Sequence, residues 1–203
     1  MGLHWRIQIL GVAAICVLAC LPAHAGKQAE EPVADAVRVS LAAAIADKAP
    51  ARYQARDEAD AAQYRYWLKI NDARLAQRRK DLSAFARGDI LETAYYEAVR
   101  AGLEPAMVLG LMQVESNFRT HAISSAGARG LMQVMPFWTR LVGNGNLSQL
   151  FDGAINMRYG CAIYRHYLDM EKGSHYRALG RYNGSLGRPE YPNAVLAAWR
   201  QWK

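Results

Sequence analysis

Glu115 is the acidic residue whose neighbours set it apart. In the stretch MVLGLMQVESNFRTHAISSAGARGLMQVMP it ends one apolar run, a Ser/Gly/Ala-rich segment follows, and a second apolar run carries a single amide, Gln133. A lone carboxylate is unfavourable to bury among hydrophobic side chains, so such a residue invites a chemical explanation. The other acids of this half of the chain are Asp89, Glu92, Glu97, Glu104, Asp152, Asp169, Glu171 and Glu190. Most fall at helix starts or on polar faces, where capping or solvation accounts for them. A buried acid of raised pKa suits general acid chemistry such as glycosidic cleavage. A two-carboxylate glycosidase would need a partner, and none stands out. His121, His166 and His175 lack zinc-binding spacing, no serine lies in a nucleophile elbow, and no phosphate loop is present. No metal or cofactor is expected.

The element that must position Glu115 is a helix. Val108, Leu111, Met112 and Glu115 fall at i, i+3, i+4 and i+7, which places the carboxylate on the face of the apolar side chains. Pro105 fits the first turn, where its missing N–H is no loss, and Glu104 before it is a weak N-cap. Apolar surroundings would raise the pKa of Glu115 and keep it protonated. A helix-end glutamate turned to solvent fits the same spacing, and periodicity alone weighs the two readings equally.

Residues 117–130 carry no long apolar repeat and read as irregular backbone with at most a minimal hairpin. Ser124 and Ser125 read as turn caps. Upstream, Leu91, Ala94, Tyr95, Ala98 and Val99 form a stripe that stops at Gly102. Downstream, helices are expected over residues 137–141, 153–172 and 176–182 and after Tyr191-Pro192, with Asp152 and Ser174 as N-caps. Tyr191 and Trp199 read as core in preference to sugar-stacking platforms. No long alternating segment occurs, so the expected fold is all-α, or α+β at most through that hairpin.

Residues 26–84 read as a helical arm of at least two helices broken near Ala49-Pro50, expected to pack on the domain that follows or to extend from it. Arg78-Arg79-Lys80 reads as a solvated helix end. Residues 1–25 read as a secretory signal: residues 9–21 are uncharged and mostly apolar, and Ala23-His24-Ala25 supplies small residues before a cut. The run is short of the roughly 20 residues that span a bilayer. Lipoprotein anchoring through Cys20, in Val17-Leu18-Ala19-Cys20, ranks behind cleavage after Ala25. Cleavage leaves Cys161 alone, a buried structural thiol in an apolar helical run. A net charge of +7 suits a polyanionic partner without naming it. Nucleic acid is not expected, because zinc-finger spacing, RNA-binding aromatic signatures and a dense Lys/Arg patch are all missing.

Several blocks in order then carry a resemblance: Glu115-Ser116-Asn117-Phe118, Ala122-Ile123-Ser124, Gly127-Ala128-Arg129-Gly130-Leu131-Met132-Gln133, Met135-Pro136 and Arg181-Tyr182-Asn183-Gly184. Together, over roughly residues 85–202, they resemble the soluble lytic murein transglycosylase (SLT) domain. The last block departs from that family's Ala-Tyr-Asn motif by its arginine, a bulky side chain expected to point outward or to contact the glycan or its peptide. The resemblance implies a lysozyme-like domain over residues 85–203 that cleaves the β-1,4 bond between N-acetylmuramic acid and N-acetylglucosamine. It implies Glu115 as acid and then base, with attack by the muramoyl C6 hydroxyl giving a 1,6-anhydro end and needing no second carboxylate. It also implies that Ser124 and Gln133 bond the sugars, that Met135 lines the cleft, that Tyr182 positions Glu115 or the saccharide, and that Asn183 braces the loop. Ser116 is expected to stabilise the motif. The partner would be the glycan strands of peptidoglycan, at the periplasmic side of the envelope, with room for peripheral association with the membrane or with envelope machinery. The rival readings are a muramidase of the same fold that uses water, and a non-catalytic peptidoglycan-binding or assembly component.

Overall fold

The computed structural model describes residues 28–46 and 52–203. The expected signal segment, with Cys16 and Cys20, lies outside the described residues. Eight α-helices are present among those described: α1 Asp35–Ala46, α2 Glu58–Arg78, α3 Ala84–Arg100, α4 Pro105–Glu115, α5 Phe137–Val142, α6 Gly153–Met170, α7 His175–Asn183 and α8 Glu190–Trp202. A 3₁₀ turn at Ser148–Phe151 precedes α6. No strand forms among these residues, only isolated antiparallel bridges of Arg129 with Ile123 and with Val134. The protein is all-α, as its periodicity predicts. No described helix is long and apolar enough to cross a membrane.

Local chemistry sets the helix ends. Asp152 accepts from Ile155 N at 2.9 Å and Ser174 from Arg177 N, each satisfying an N–H that the helix leaves unpaired. Glu104 makes no cap bond, and Pro105 opens α4. The Glu104 carboxylate instead accepts from the Trp199 indole at 3.0 Å.

One core holds α4 at its centre. Met107, Val108, Leu109, Leu111 and Met112 are fully buried there, and Leu41 and Leu75 from α1 and α2 belong to the same cluster. The N-terminal arm thus packs on the domain that follows. Tyr53, Tyr64 and Trp67 crowd onto Tyr95 of α3, with ring centroids 4.7–5.0 Å apart. Gln28 bonds both Tyr167 and Trp138. Arg79, expected in a solvated cluster, is instead largely covered; it pairs with Asp81 and donates to the carbonyl of Asn117. Val99 also departs from expectation and faces solvent, while Ile90 turns inward in its place. Cys161 is buried, and burial pushes its thiol pKa up, which fits a structural role.

Candidate active site

Helix α4 delivers Glu115, and α8 closes over that helix. A Cβ on Gly110 would stand 2.8 Å from the Trp199 backbone nitrogen, so the two helices meet this closely only at glycine. Glu115 is the last residue of α4 and is 4 % exposed. Its Oε1 accepts a hydrogen bond from the Tyr191 hydroxyl of α8. Cavities of 320–650 Å³ open elsewhere on the surface, and Glu115 lines none of them.

Among the described residues three other carboxylates are buried, Asp60, Glu97 and Glu171. Glu97 corrects the expectation that such acids sit on polar faces: it is held inside by Arg100 at 3.1 Å and Arg158 at 2.9 Å. Asp60 faces Arg56, and Glu171 faces Arg177 and Arg181. Glu115 has a phenol where these have a guanidinium. The charge balance therefore runs in opposite directions. Arg177 and Arg181 hold Glu171 below its ordinary value. Burial pushes the Glu115 carboxyl up to about 8, with the Tyr191 hydrogen bond favouring the ionised form and offsetting part of the rise. At neutral pH Glu115 carries a proton it can give, and the carboxylate left behind is a competent base.

The chain turns sharply after the acid. Asn117 and Phe118 have φ of 48° and 58°, a left-handed conformation that non-glycine residues rarely adopt. Phe118 is held there by burial against Trp202, and Ser116 Oγ donates to Leu131 O at 2.7 Å. The end of α4 is thereby fastened to the loop that carries the second motif. Ser116 does stabilise the motif.

That loop is pinned from beneath. Asn156 of α6, fully buried, donates to Arg129 O and Leu150 O and accepts from Met132 N, each at 2.8 Å. A Cβ on Gly130 (φ 77°) would fall 2.3 Å from Asn156 Nδ2 and 2.4 Å from Leu150 O, so this position requires glycine on both counts. Gln133 also adopts positive φ, 49°. Its Nε2 donates to Ala122 O at 3.2 Å and Gly130 O at 2.9 Å, which leaves Oε1 as its remaining acceptor. Ser124 Oγ accepts from Ala126 N at 3.2 Å and Ala128 N at 3.0 Å, the turn-capping role, and its hydroxyl proton stays available to an acceptor. Met135 is half-buried against the core.

Tyr182 and Asn183, at the end of α7, are both buried. The Tyr182 hydroxyl donates to Met132 O at 2.8 Å and so braces the loop; the side chain that bonds Glu115 is Tyr191. Arg181 points away from this contact, toward Glu171 and, at 3.9 Å, Glu31 of the N-terminal segment. Its departure from the family motif is thus matched by acids of this chain. Tyr191, 76 positions from Glu115, bears no spacing relation that sequence could reveal; Asn156 likewise looks like any polar residue of an amphipathic helix.

Comparison with known proteins places the chain in a family. The family model described as the transglycosylase SLT domain matches residues 92–193. A membrane-bound lytic murein transglycosylase C of Actinobacillus pleuropneumoniae serotype 5b is 39 % identical over 85 residues, covering 41 % of this chain and 22 % of that protein. A protein of the same name from Klebsiella pneumoniae strain 342 is 34 % identical over 101 residues, covering 42 % and 28 %. The chain spans about a quarter of the length of these curated relatives. A solved structure of an inactive mutant of lytic transglycosylase Slt from Pseudomonas aeruginosa is similar at 25 % identity and a TM-score of 0.44, over 54 % of this chain and 21 % of that one.

Proposed function

The chain belongs to the transglycosylase SLT domain family, and on that premise we propose that it is an exported peptidoglycan lytic transglycosylase with Glu115 as its acid and base. The observation that carries the reading is a buried carboxyl, held at one oxygen by Tyr191, that pairs with no cation among the described residues. Protonated Glu115 donates to the glycosidic oxygen between N-acetylmuramic acid and N-acetylglucosamine as that bond breaks. The muramoyl C6 hydroxyl attacks C1 of the same sugar, and the Glu115 carboxylate takes its proton. The enzyme returns to its starting state and the product ends in a 1,6-anhydro ring. Intramolecular attack removes the need for a second carboxylate, and orientation contributes several kcal/mol to such a step.

In this scheme Gln133 Oε1 and the Ser124 hydroxyl meet sugar polar groups, Met135 lines the cleft, and Tyr182 and Asn183 keep the loop in place. Residues 85–203 form the catalytic domain, residues 26–84 its arm, and residues 1–25 direct export to the periplasmic side of the envelope. No metal or cofactor takes part in the scheme.

Digestion of purified sacculi followed by mass spectrometry of the muropeptides tests the reading. Anhydro ends are expected; reducing ends, heavier by one water, would make the protein a hydrolase instead. Release of no muropeptide would overturn the enzymatic reading itself.

A further inference from the structure

The surface carries a basic pocket that this chemistry has not used. It has a volume of about 410 Å³ and is lined by Arg74, Gln77 and Arg78 of α2, Asn117, and Gln201 and Trp202 at the end of α8. No acid lines it. Arg74 bonds Asn71 Oδ1 and the backbone oxygen of Lys203, and Arg78 bonds Gln201 Oε1 at 3.4 Å; neither bonds a side-chain carboxylate. Arginines elsewhere on this chain are met by acids: Arg79 by Asp81, Arg87 by Asp72, Arg165 by Asp169. Burial also lowers the pKa of Arg78, the mark of a partly desolvated cation. Two such guanidiniums flanked by amides form a receptor for a carboxylate, which arginine binds in a bidentate fork.

The position of the pocket narrows the ligand. Asn117 lies two residues beyond Glu115, so the pocket adjoins the turn that leaves the catalytic helix. Tyr191, which bonds Glu115, and Trp202, which lines the pocket, stand eleven positions apart on α8, about 16 Å along the axis. A sugar bound at Glu115 does not cover that distance. An extended peptide of four residues reaches about 14 Å. Arg74, Arg78, Gln201 and Trp202 also lie outside the matched residues 92–193, so the pocket is built from this chain's own flanks.

We infer that the Arg74–Arg78 pocket binds a carboxylate of the peptide stem carried by the glycan, and so selects stem-bearing strands. This rests on the proposed transglycosylase reading for its substrate, but binding can be measured without turnover. In the first experiment a free stem peptide is titrated into the full chain by calorimetry, beside the same peptide with its carboxylates converted to carboxamides. Binding of the acid form alone is expected, weakened about tenfold or more in Arg74→Gln/Arg78→Gln. Arg78→Gln alone, at an exposed position whose one side-chain bond is a long one to Gln201, serves if the double variant folds poorly. No binding by the natural protein, or equal binding of the carboxamide, overturns the inference. In the second experiment kcat/KM is compared on stem-bearing strands and on strands stripped of peptide. The natural protein should prefer the former severalfold, and the variant should lose that preference; a preference retained in the variant also overturns it. Failure to cleave either strand would count against the transglycosylase reading, while the titration still decides the pocket.

Discussion

Glu115→Gln gives the sharpest test of the site, because it predicts a gain in stability that depends on pH. The folded protein holds the Glu115 proton up to about 8, whereas the unfolded chain releases it near 4.5. Below 4.5 both states are protonated and the residue contributes no pH dependence. Between the two values the unfolded chain binds fewer protons, so stability falls as pH rises, by about 1.4 kcal/mol per unit. From 4.5 to 7 this amounts to about 3 kcal/mol lost by the natural protein, and above 8 the loss levels off. Glutamine does not titrate, has nearly the same shape and can still accept from Tyr191. The variant should therefore gain on the natural protein by about 3 kcal/mol between pH 4.5 and 7, or about 6–12 °C in Tm for a chain of this size. Urea unfolding of both proteins at pH 4, 5.5, 7 and 8, followed by tryptophan fluorescence, measures the gap. Activity on sacculi should meanwhile fall by about 10²-fold or more. A gap that stays constant from pH 4 to pH 8 would refute the assignment of a buried, protonated carboxyl.

Tyr191→Phe removes the hydrogen bond that favours ionised Glu115, so the alkaline limb of the kcat profile should move up by about one pH unit; a limb that stays put or moves down would contradict the contact. Asn156→Leu leaves Met132 N and the Leu150 carbonyl without the Asn156 bonds, while Arg129 O keeps its bond from Val134 N, and should destabilise the fold by about 2 kcal/mol or more in thermal melts. Amide exchange at Met132 should quicken with it, and a neutral outcome would mean the loop is held by other contacts. Leu75→Ala opens the core where the arm meets it and should cost about 2–5 kcal/mol; a loss below 1 kcal/mol would indicate that the arm is dispensable, as would recovery of a stable domain after deletion of residues 26–79.

The sequence by itself determined a good deal. A 3.6-residue apolar period, with Asp152 and Ser174 at cap positions and Pro105 at an N-terminus, required only local physics, and the helices form where it places them. The stripe of Val108, Leu111 and Met112 pointed Glu115 inward on the same local grounds, although it could not choose between core and solvent. Only the tertiary structure decided the acid's protonation. Desolvation depends on what covers Glu115, and the cover includes Tyr191 on a helix that begins 75 positions later. Nor could spacing tell Glu115 from Glu97, since both are buried on helices: two arginines, one from a different helix, neutralise Glu97, while none among the described residues pairs with Glu115. The same holds for Arg181, whose partners Glu171 and Glu31 lie in other segments of the chain. A carboxylate's charge is set by everything within a few ångströms of it, and distance in space is what a linear order leaves out.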